Sequence, residues 1–254
     1  MKIPKILEVT LRDGSYCINF QFSKEETYNL TNALENLGFE LIEVGHGLGL
    51  GASKKGKGIA METDESYMES AANAINKSKW GMFCIPGIAE LDDLDAAIDY
   101  KMDFIRIGTN IEDYKQSKCF IEKAKTSGMF VCSNFMKSYV CTPAKFVEYA
   151  QSVEYWGSDV IYIVDSAGGM LPEQLEEYYI AIKEKCSTIK VGYHGHDNLG
   201  LGVANALKAA DLGIDIIDTS LQGFGRSAGN TCTERFISAM MLKGLDMGFD
   251  PIEV

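Results

Sequence analysis

The sequence predicts an α/β fold, a closed (β/α)8 or TIM barrel that makes up a single domain of residues 1–254. Apolar strand-like runs alternate with helix-like runs eight times, no linker or low-complexity tract separates them, and 254 residues is a usual length for such a barrel. Strict alternation of this kind implies a parallel sheet with right-handed crossovers. The strand-like runs are apolar and β-branched throughout, as expected for strands that are buried on both faces.

Each predicted strand is a short apolar run that stops at a polar or glycine-rich stretch. In chain order the strands are expected at Ile6–Leu11, Leu41–Val44, Gly81–Ile85, Phe104–Ile107, Met129–Phe135, Val160–Val164, a run from Ile189 that carries His194 and His196, and Ile214–Ser220.

Capping and stop signals place a helix after each strand. Ser23 to Glu26 is a capping box, Gly38 stops the same helix, and Thr142 before Pro143 supplies an N-cap and an N1 proline. The helices are expected at 23–37, 64–77, 91–100, 112–126, 144–156, 172–186, 201–212 and 231–247.

The composition narrows the classes of partner. The chain is 46% hydrophobic and 24% charged, with a formal net charge of −12. An acidic chain of this kind is not expected to bind nucleic acid or an anionic membrane surface. A small anionic substrate is compatible with it where a metal ion or an arginine supplies local positive charge. The seven scattered cysteines form no C-x-x-C pair, and the N-terminus has no signal-peptide pattern, so the cytoplasm is the expected location.

Two of the three histidines stand two residues apart on one predicted strand, at His194 and His196. Residues i and i+2 of a strand face the same side, about 6.5–7 Å apart. The two imidazoles are therefore candidates to bind one metal ion. The alternative is a pair of polar residues at a strand end, each bonded to a backbone carbonyl.

Polar residues cluster at the predicted C-terminal strand ends, which carry the chemistry in such barrels. They are Arg12, Asp13, Glu43, His46, Thr109, Asn134, Lys137, Asp165, Ser166, His194, His196 and Ser220. Asp13 would complete a three-ligand face for a divalent ion, and Arg12 would supply a fixed cation. Taken singly, Arg12 and Asp13 could equally form a solvent-exposed ion pair at the rim. The glycine loop Gly223–Asn230 either cradles an anion or is a plain turn.

Six motifs together resemble the HMG-CoA lyase-like (DRE-TIM) metallolyase superfamily, and within it the 4-hydroxy-2-oxovalerate aldolases. The resemblance covers Ile6 to Leu242. The motifs are Thr10–Gly14, Glu43–Gly47, Asp165–Gly169, His194–Leu199, Gly202–Asn205 and Gly223–Asn230.

The resemblance implies a single catalytic barrel with a divalent ion, Mn²⁺ or Mg²⁺, bound by Asp13, His194 and His196, with Asn230 at or near the metal. It implies a metal-dependent carbon–carbon lyase that cleaves or forms a 4-hydroxy-2-oxo acid, through a pyruvate enolate and an aldehyde. In the site that it implies, Arg12 stabilises the enolate, Glu43 braces Arg12 or the ligands, and Ser166 and Asn134 contact the substrate.

The chain departs from the aldolase pattern in two places. Tyr16 stands where those aldolases have the histidine that acts as general base. A phenol with an ordinary pKa of about 10 is a poor base at neutral pH. Either the base is Tyr16 with a pKa perturbed by the metal, His46, Cys17 or a bound water, or the chemistry differs from that of the aldolases. The chain also stops at Val254, without the C-terminal helical domain of those aldolases. No aldehyde dehydrogenase channelling partner is therefore expected, and a homo-oligomer remains an option.

Two other functions remain open at this point. One is a Claisen-type enzyme of the same superfamily that condenses or cleaves an acyl-CoA. The other is a non-catalytic barrel that binds a metabolite and has lost its base. Intact Asp13, His194 and His196 argue against the second alternative, while Tyr16 favours it.

Overall fold

The computed structural model describes residues 2–254 and contains a closed barrel of eight parallel strands, which confirms the predicted fold class. Each strand pairs with its neighbour in the sequence, and the last strand pairs with the first. The strands are β1 (Lys5–Glu8), β2 (Leu41–Glu43), β3 (Lys79–Cys84), β4 (Phe104–Asn110), β5 (Phe130–Met136), β6 (Val160–Asp165), β7 (Lys190–Gly195) and β8 (Ile216–Thr219).

A helix follows each strand. The predicted capping box is present, because the Ser23 side chain accepts from the Glu26 N–H and the Glu26 side chain accepts from the Ser23 N–H. Gly38 ends that helix at φ 97°, a conformation that glycine adopts without steric cost. The helices are α1 (Lys24–Leu37), α2 (Asp64–Ala74), α3 (Asp93–Asp99), α4 (Lys118–Thr126), α5 (Pro143–Tyr155), α6 (Pro172–Lys185), α7 (Gly202–Leu212) and α8 (Thr233–Leu242).

Five predicted boundaries were wrong by three residues or more. β4 extends to Asn110 rather than Ile107, and α2 ends at Ala74 rather than residue 77. β1 ends at Glu8 rather than at Leu11, because the chain turns there and enters a short 3-10 helix, Asp13–Ile18. The helix expected from residue 112 begins as a 3-10 segment, Ile111–Ser117, and becomes α-helical at Lys118. α8 ends at Leu242, five residues before the predicted end.

The hydrophobic core has two layers. A large cluster fills the space between the strands and the helices, and a smaller one fills the barrel interior from Leu7, Phe104, Tyr162 and Ile216 among others. Side chains alternate along a strand, so the residues two positions beyond Phe104 and Ile216, Arg106 and Asp218, also face the interior. No helix within residues 2–254 is long and apolar enough to cross a membrane.

Candidate metal centre and active site

A cavity opens at the C-terminal end of the barrel. Its wall combines polar groups with the apolar side chains of Leu48, Phe83, Ile85, Met136 and Val164. Most of the site residues predicted from the sequence line it, namely Arg12, Asp13, Tyr16, Asn134, Ser166, His194 and His196.

Asp13, His194 and His196 converge within this cavity. All three are buried, and each offers a ligand atom within 4.8 Å of the others. The Nε2 atom of His194 lies 3.7 Å from the Asp13 carboxylate, and the two imidazole rings are 5.0 Å apart and nearly perpendicular. Two imidazoles and one carboxylate that leave coordination positions open are a typical face for a divalent metal ion.

Hydrogen bonds orient both imidazoles so that Nε2 points to the shared centre. The Nδ1 atom of His194 lies 2.8 Å from the Asp218 carboxylate, and Nδ1 of His196 lies 3.2 Å from the Gly229 carbonyl. With Nδ1 engaged in this way, Nε2 of each ring is the nitrogen left to face the shared centre. Burial lowers the pKa of His196 to about 4, so its ring is neutral at pH 7, as metal binding requires.

Asp13 is ionised at neutral pH. Burial alone would raise the pKa of this carboxyl, but the adjacent Arg12 guanidinium holds the pKa well below its usual range. Its second oxygen accepts from the backbone N–H of Arg226 at 3.1 Å.

The residues present fit a divalent cation. The Asn230 side-chain oxygen is buried and has no hydrogen-bond partner within residues 2–254, while its amide nitrogen donates to the Phe224 carbonyl at 3.0 Å. Asn230 pairs with His196 in an isolated antiparallel bridge. Buried oxygens are normally paired, so an unpaired amide oxygen next to a candidate ligand adds an oxygen donor of the kind that Mn²⁺ and Mg²⁺ accept.

Arg12 is held between two carboxylates. Its Nε donates to Glu43 at 2.7 Å and one terminal nitrogen donates to Asp13. The guanidinium lies over the Phe83 ring at 4.8 Å from the ring centre and is 5% exposed. Glu43 therefore braces Arg12 from inside the barrel without lining the cavity.

Two residues that support the site, Arg106 and Asp218, were not predicted from the sequence. Arg106 is fully buried and bridges Glu43, at 2.7 Å, and Asp218. Asp218 in turn holds His194. Each of the two is a single charged residue in an apolar strand, at a position that faces the barrel interior. This feature of the sequence could have identified them.

The ion-pair network around Arg12 and Arg106 holds more carboxylates than guanidinium groups. When ionised, two cations, Arg12 and Arg106, face three carboxylates, Asp13, Glu43 and Asp218, so that two positive and three negative charges sum to −1. A bound divalent cation would reverse the sign of this local charge, which favours an anionic substrate.

His46, predicted as a catalytic residue, does not line the cavity. The Leu48 N–H donates to Nδ1 at 3.0 Å, Nε2 lies 3.2 Å from the Gly58 carbonyl, and the ring stacks on Phe20 at 3.9 Å. With both nitrogens engaged by backbone groups, the ring has no free atom to act as a base. His46 instead anchors the loop between Gly47 and Gly58.

The two other candidate bases differ in position. Cys17 is exposed, lies outside the cavity wall, and donates from its thiol to the Gly225 carbonyl at 3.4 Å. Tyr16 lines the cavity, packs edge-on against Phe20 and covers Gly47, where a Cβ atom would lie 2.5 Å from the phenol ring. Burial raises the pKa of Tyr16, so its hydroxyl is protonated at neutral pH.

Ser166, Asn134 and Arg226 also line the cavity. The Ser166 hydroxyl accepts from the Lys137 N–H at 3.0 Å, and its carbonyl accepts from the Arg226 guanidinium at 3.2 Å. The buried Asn134 side-chain oxygen has no partner within residues 2–254, which leaves it available to a ligand.

Known proteins resemble this chain over its whole length. A family model described as HMGL-like matches residues 3–254. A 4-hydroxy-2-oxovalerate aldolase from Rhodococcus jostii (strain RHA1) is 38% identical over 245 residues, which cover 96% of this chain and 71% of the relative. An oxaloacetate decarboxylase from Mycobacterium tuberculosis is 35% identical over 241 residues, covering 95% of this chain and 71% of that protein.

Solved structures share the fold at low sequence identity. The HMG-CoA lyase from Brucella melitensis superposes with a TM-score of 0.82 at 17% identity, covering all of this chain and 95% of that one. The carboxyl transferase domain of Rhizobium etli pyruvate carboxylase gives a TM-score of 0.83 at 14% identity, over all of this chain and 46% of that one. These two likenesses support the barrel architecture.

Proposed function

This chain belongs to the HMGL-like family, and on that premise we propose that it is a metal-dependent carbon–carbon lyase that reacts through the enolate of a 2-oxo acid such as pyruvate. The specific reaction proposed is the cleavage or formation of a 4-hydroxy-2-oxo acid, with an aldehyde as the second product or substrate. The Rhodococcus jostii relative, named a 4-hydroxy-2-oxovalerate aldolase, supports this choice.

The observation that carries the proposal is the convergence of Asp13, His194 and His196 on one buried point beside Arg12. We assign these three residues and Asn230 as the ligands of Mn²⁺ or Mg²⁺. When bound, such an ion polarises the 2-oxo group and attracts the adjacent carboxylate.

Arg12 stabilises the charge that develops on the enolate oxygen. Its guanidinium is fixed by Glu43 and Asp13 before the reaction begins, so no reorganisation is needed when the charge appears. Asn134 and Ser166, on the wall, are assigned as contacts to the substrate.

Tyr16 is assigned as the group that exchanges the proton. In cleavage, the bond between C3 and C4 breaks, its electron pair remains on C3 as the enolate, and the 4-hydroxyl loses its proton as the aldehyde forms. The enolate then takes up a proton at C3. Among the described cavity residues, Tyr16 is the titratable side chain that is neither an arginine nor a candidate ligand.

A second candidate reaction is the decarboxylation of a 2-oxo acid with a carboxylate at C4, as in oxaloacetate. This reaction also yields the pyruvate enolate, but it needs a proton donor and no base. Tyr16, protonated because of its raised pKa, suits that requirement, and the Mycobacterium tuberculosis relative carries the corresponding name. Release of CO₂ from oxaloacetate, measured beside aldehyde release from a 4-hydroxy-2-oxo acid, separates the two reactions.

The remaining expectations stay predictions. They are a single catalytic barrel domain over residues 1–254, the option of a homo-oligomer and a cytoplasmic location.

The test of enolate chemistry is the exchange of pyruvate methyl protons in D₂O, followed by NMR with Mn²⁺ present. We expect exchange in the wild type and none above background in His196→Asn. Binding of Mn²⁺ is measured separately, from the signal of free Mn²⁺ in electron paramagnetic resonance. Loss of this ligand should weaken Mn²⁺ binding by more than about 100-fold, since outer groups alone account for about 10- to 100-fold.

His46→Asn is the matched control, because it removes the same ring from a position outside the cavity and should keep the wild-type Mn²⁺ affinity. Wild-type protein that binds Mn²⁺ without exchanging pyruvate protons would exclude the pyruvate enolate. A signal that appears only when acetyl-CoA is added would favour the acyl-CoA reaction instead.

A further inference from the structure

We infer that Arg226 forms a binding site for a second carboxylate at the mouth of the cavity, so that the preferred 4-hydroxy-2-oxo acid is a diacid. The acceptor released on its cleavage would then itself be an acid with an aldehyde or keto group. This inference rests on the proposed aldol function and specifies its substrate class.

Arg226 is held at the active site from two directions. Its backbone N–H donates to Asp13 at 3.1 Å, which fixes the main chain next to the candidate metal ligands. Its guanidinium donates to the Ser166 carbonyl at 3.2 Å, which directs the side chain across the cavity wall that both residues share.

The charge on Arg226 has no carboxylate partner within residues 2–254. Of the four arginines, Arg12 and Arg106 are buried in ion pairs and Arg235 is exposed on α8. A guanidinium offers five N–H donors in a planar fork, and one protein acceptor uses part of that fork. The remaining donors are free to bind a carboxylate bidentately.

Arg12 is buried and Arg226 is exposed, so the two would contact different halves of the substrate. Arg12 is 5% exposed and adjoins the candidate metal ligands, where the 2-oxo carboxylate half would bind. Arg226 is exposed at the mouth, where the acceptor half would lie. The wall also includes the apolar side chains of Leu48, Ile85 and Met136. These side chains alone could bind an acceptor with an alkyl group, so a cation at the mouth is needed only for an acceptor that carries a negative charge.

The net charge of the whole chain also supports a role for Arg226 in binding a dianionic substrate. A net charge of −12 repels a dianion, so a free cation at the cavity mouth is the feature that would draw one in.

The experiment compares two five-carbon substrates that differ at C5 alone, 4-hydroxy-2-oxoglutarate and 4-hydroxy-2-oxopentanoate. Cleavage is followed by coupling the released pyruvate to lactate dehydrogenase. We expect the wild type to favour the diacid in kcat/KM, and Arg226→Gln to reduce that preference by about 10- to 100-fold, mainly through KM, as loss of a charge-assisted hydrogen bond predicts.

Arg235→Gln is the matched control, since it removes the same charge from the outer surface, and it should keep the wild-type preference. Equal kcat/KM for the two substrates in the wild type overturns the inference, as does a preference that survives in Arg226→Gln or falls equally in Arg235→Gln. Pyruvate proton exchange in the wild type distinguishes the two levels of failure. If the wild type exchanges pyruvate protons but does not prefer the diacid, only the second carboxylate site is excluded. If it neither exchanges pyruvate protons nor cleaves either substrate, the proposed function is excluded as well.

Discussion

In the proposed function, Tyr16 is the side chain that transfers the proton. Asp13, His194 and His196 are assigned there as metal ligands, and Arg12 and Arg226 are guanidinium groups that do not titrate in proteins. Burial raises the pKa of Tyr16, so the phenolate that could accept a proton is a minor species at pH 7. Steps in which Tyr16 must accept a proton should therefore be slow at neutral pH, whereas steps in which it donates one should be fast.

Tyr16→Phe should slow pyruvate proton exchange by about 100-fold, the lower end of the range for loss of a positioned acid or base. In the wild type, exchange should still be rising at pH 9, because the phenol pKa lies above its ordinary value. In Tyr16→His, the exchange rate should level off above about pH 7, because an ordinary imidazole has lost its proton by then. NMR exchange rates from pH 6 to 9 measure all three profiles.

Unaltered exchange in Tyr16→Phe would assign proton transfer to another group. A wild-type profile that levels off near pH 7 would lead to the same conclusion. Measured Mn²⁺ affinity in each variant guards against an indirect effect on the candidate metal site.

The strands β4 and β8 each carry one charge into the barrel interior. Arg106 of β4 joins Glu43 of β2 to Asp218 of β8, and through them it links Arg12 to His194. Three strands are therefore tied together across the barrel at the level just beneath the cavity. The ion pairs orient the groups that line the site, although none of the three bridging residues lines it.

Replacing Arg106 by Met should reduce the free energy of unfolding by about 3–5 kcal/mol, because Glu43 and Asp218 would remain buried without their shared cation. Urea unfolding measures this loss. In the double variant Arg106→Met with Asp218→Asn, the two losses should be less than additive, since each change removes a partner of the other. Additive losses, or an Arg106→Met variant as stable as the wild type, would mean that the bridge contributes little.

The sequence predicted the order of elements because hydrophobic periodicity is a local property of the chain. It also placed Asp13, His194 and His196 together, since the C-terminal strand ends of a barrel meet at one face. It did not reveal the Arg106–Asp218 pair, because the partners are separated by 112 positions and neither lies in a recognisable motif. The position of His46 outside the cavity was not evident for a related reason, since this residue follows the strand end and its ring turns towards its own loop.

The stability of the whole molecule should depend on pH through buried carboxyls of opposite behaviour. Glu8 is 0% exposed, and burial raises its pKa from 4.5 to about 7, although N–H groups of Thr10 and Leu221 donate to it. Asp13 has a pKa held below its usual range, so its contribution is present at neutral pH and is lost in acid. Glu8 acts in the reverse sense, because its neutral form is the one that the fold favours.

Glu8 therefore costs stability as the pH rises. Below pH 4.5 it is protonated in both the folded and the unfolded chain, and its full contribution is present. Between pH 4.5 and about 7 unfolding releases its proton, so stability falls over this window and levels off above it, by up to about 3 kcal/mol. Glu8→Gln keeps the shape of the side chain and removes the titration.

In urea unfolding from pH 5 to 8, the wild type should lose stability relative to Glu8→Gln as the pH rises through 7, so that the variant gains its largest advantage at pH 8. The difference between the two proteins isolates Glu8, because Asp13 and the other titrating groups are common to both. Parallel profiles across this range would mean that Glu8 is already ionised in the folded barrel at pH 5. The N–H donors of Thr10 and Leu221 would then outweigh the cost of burying its charge.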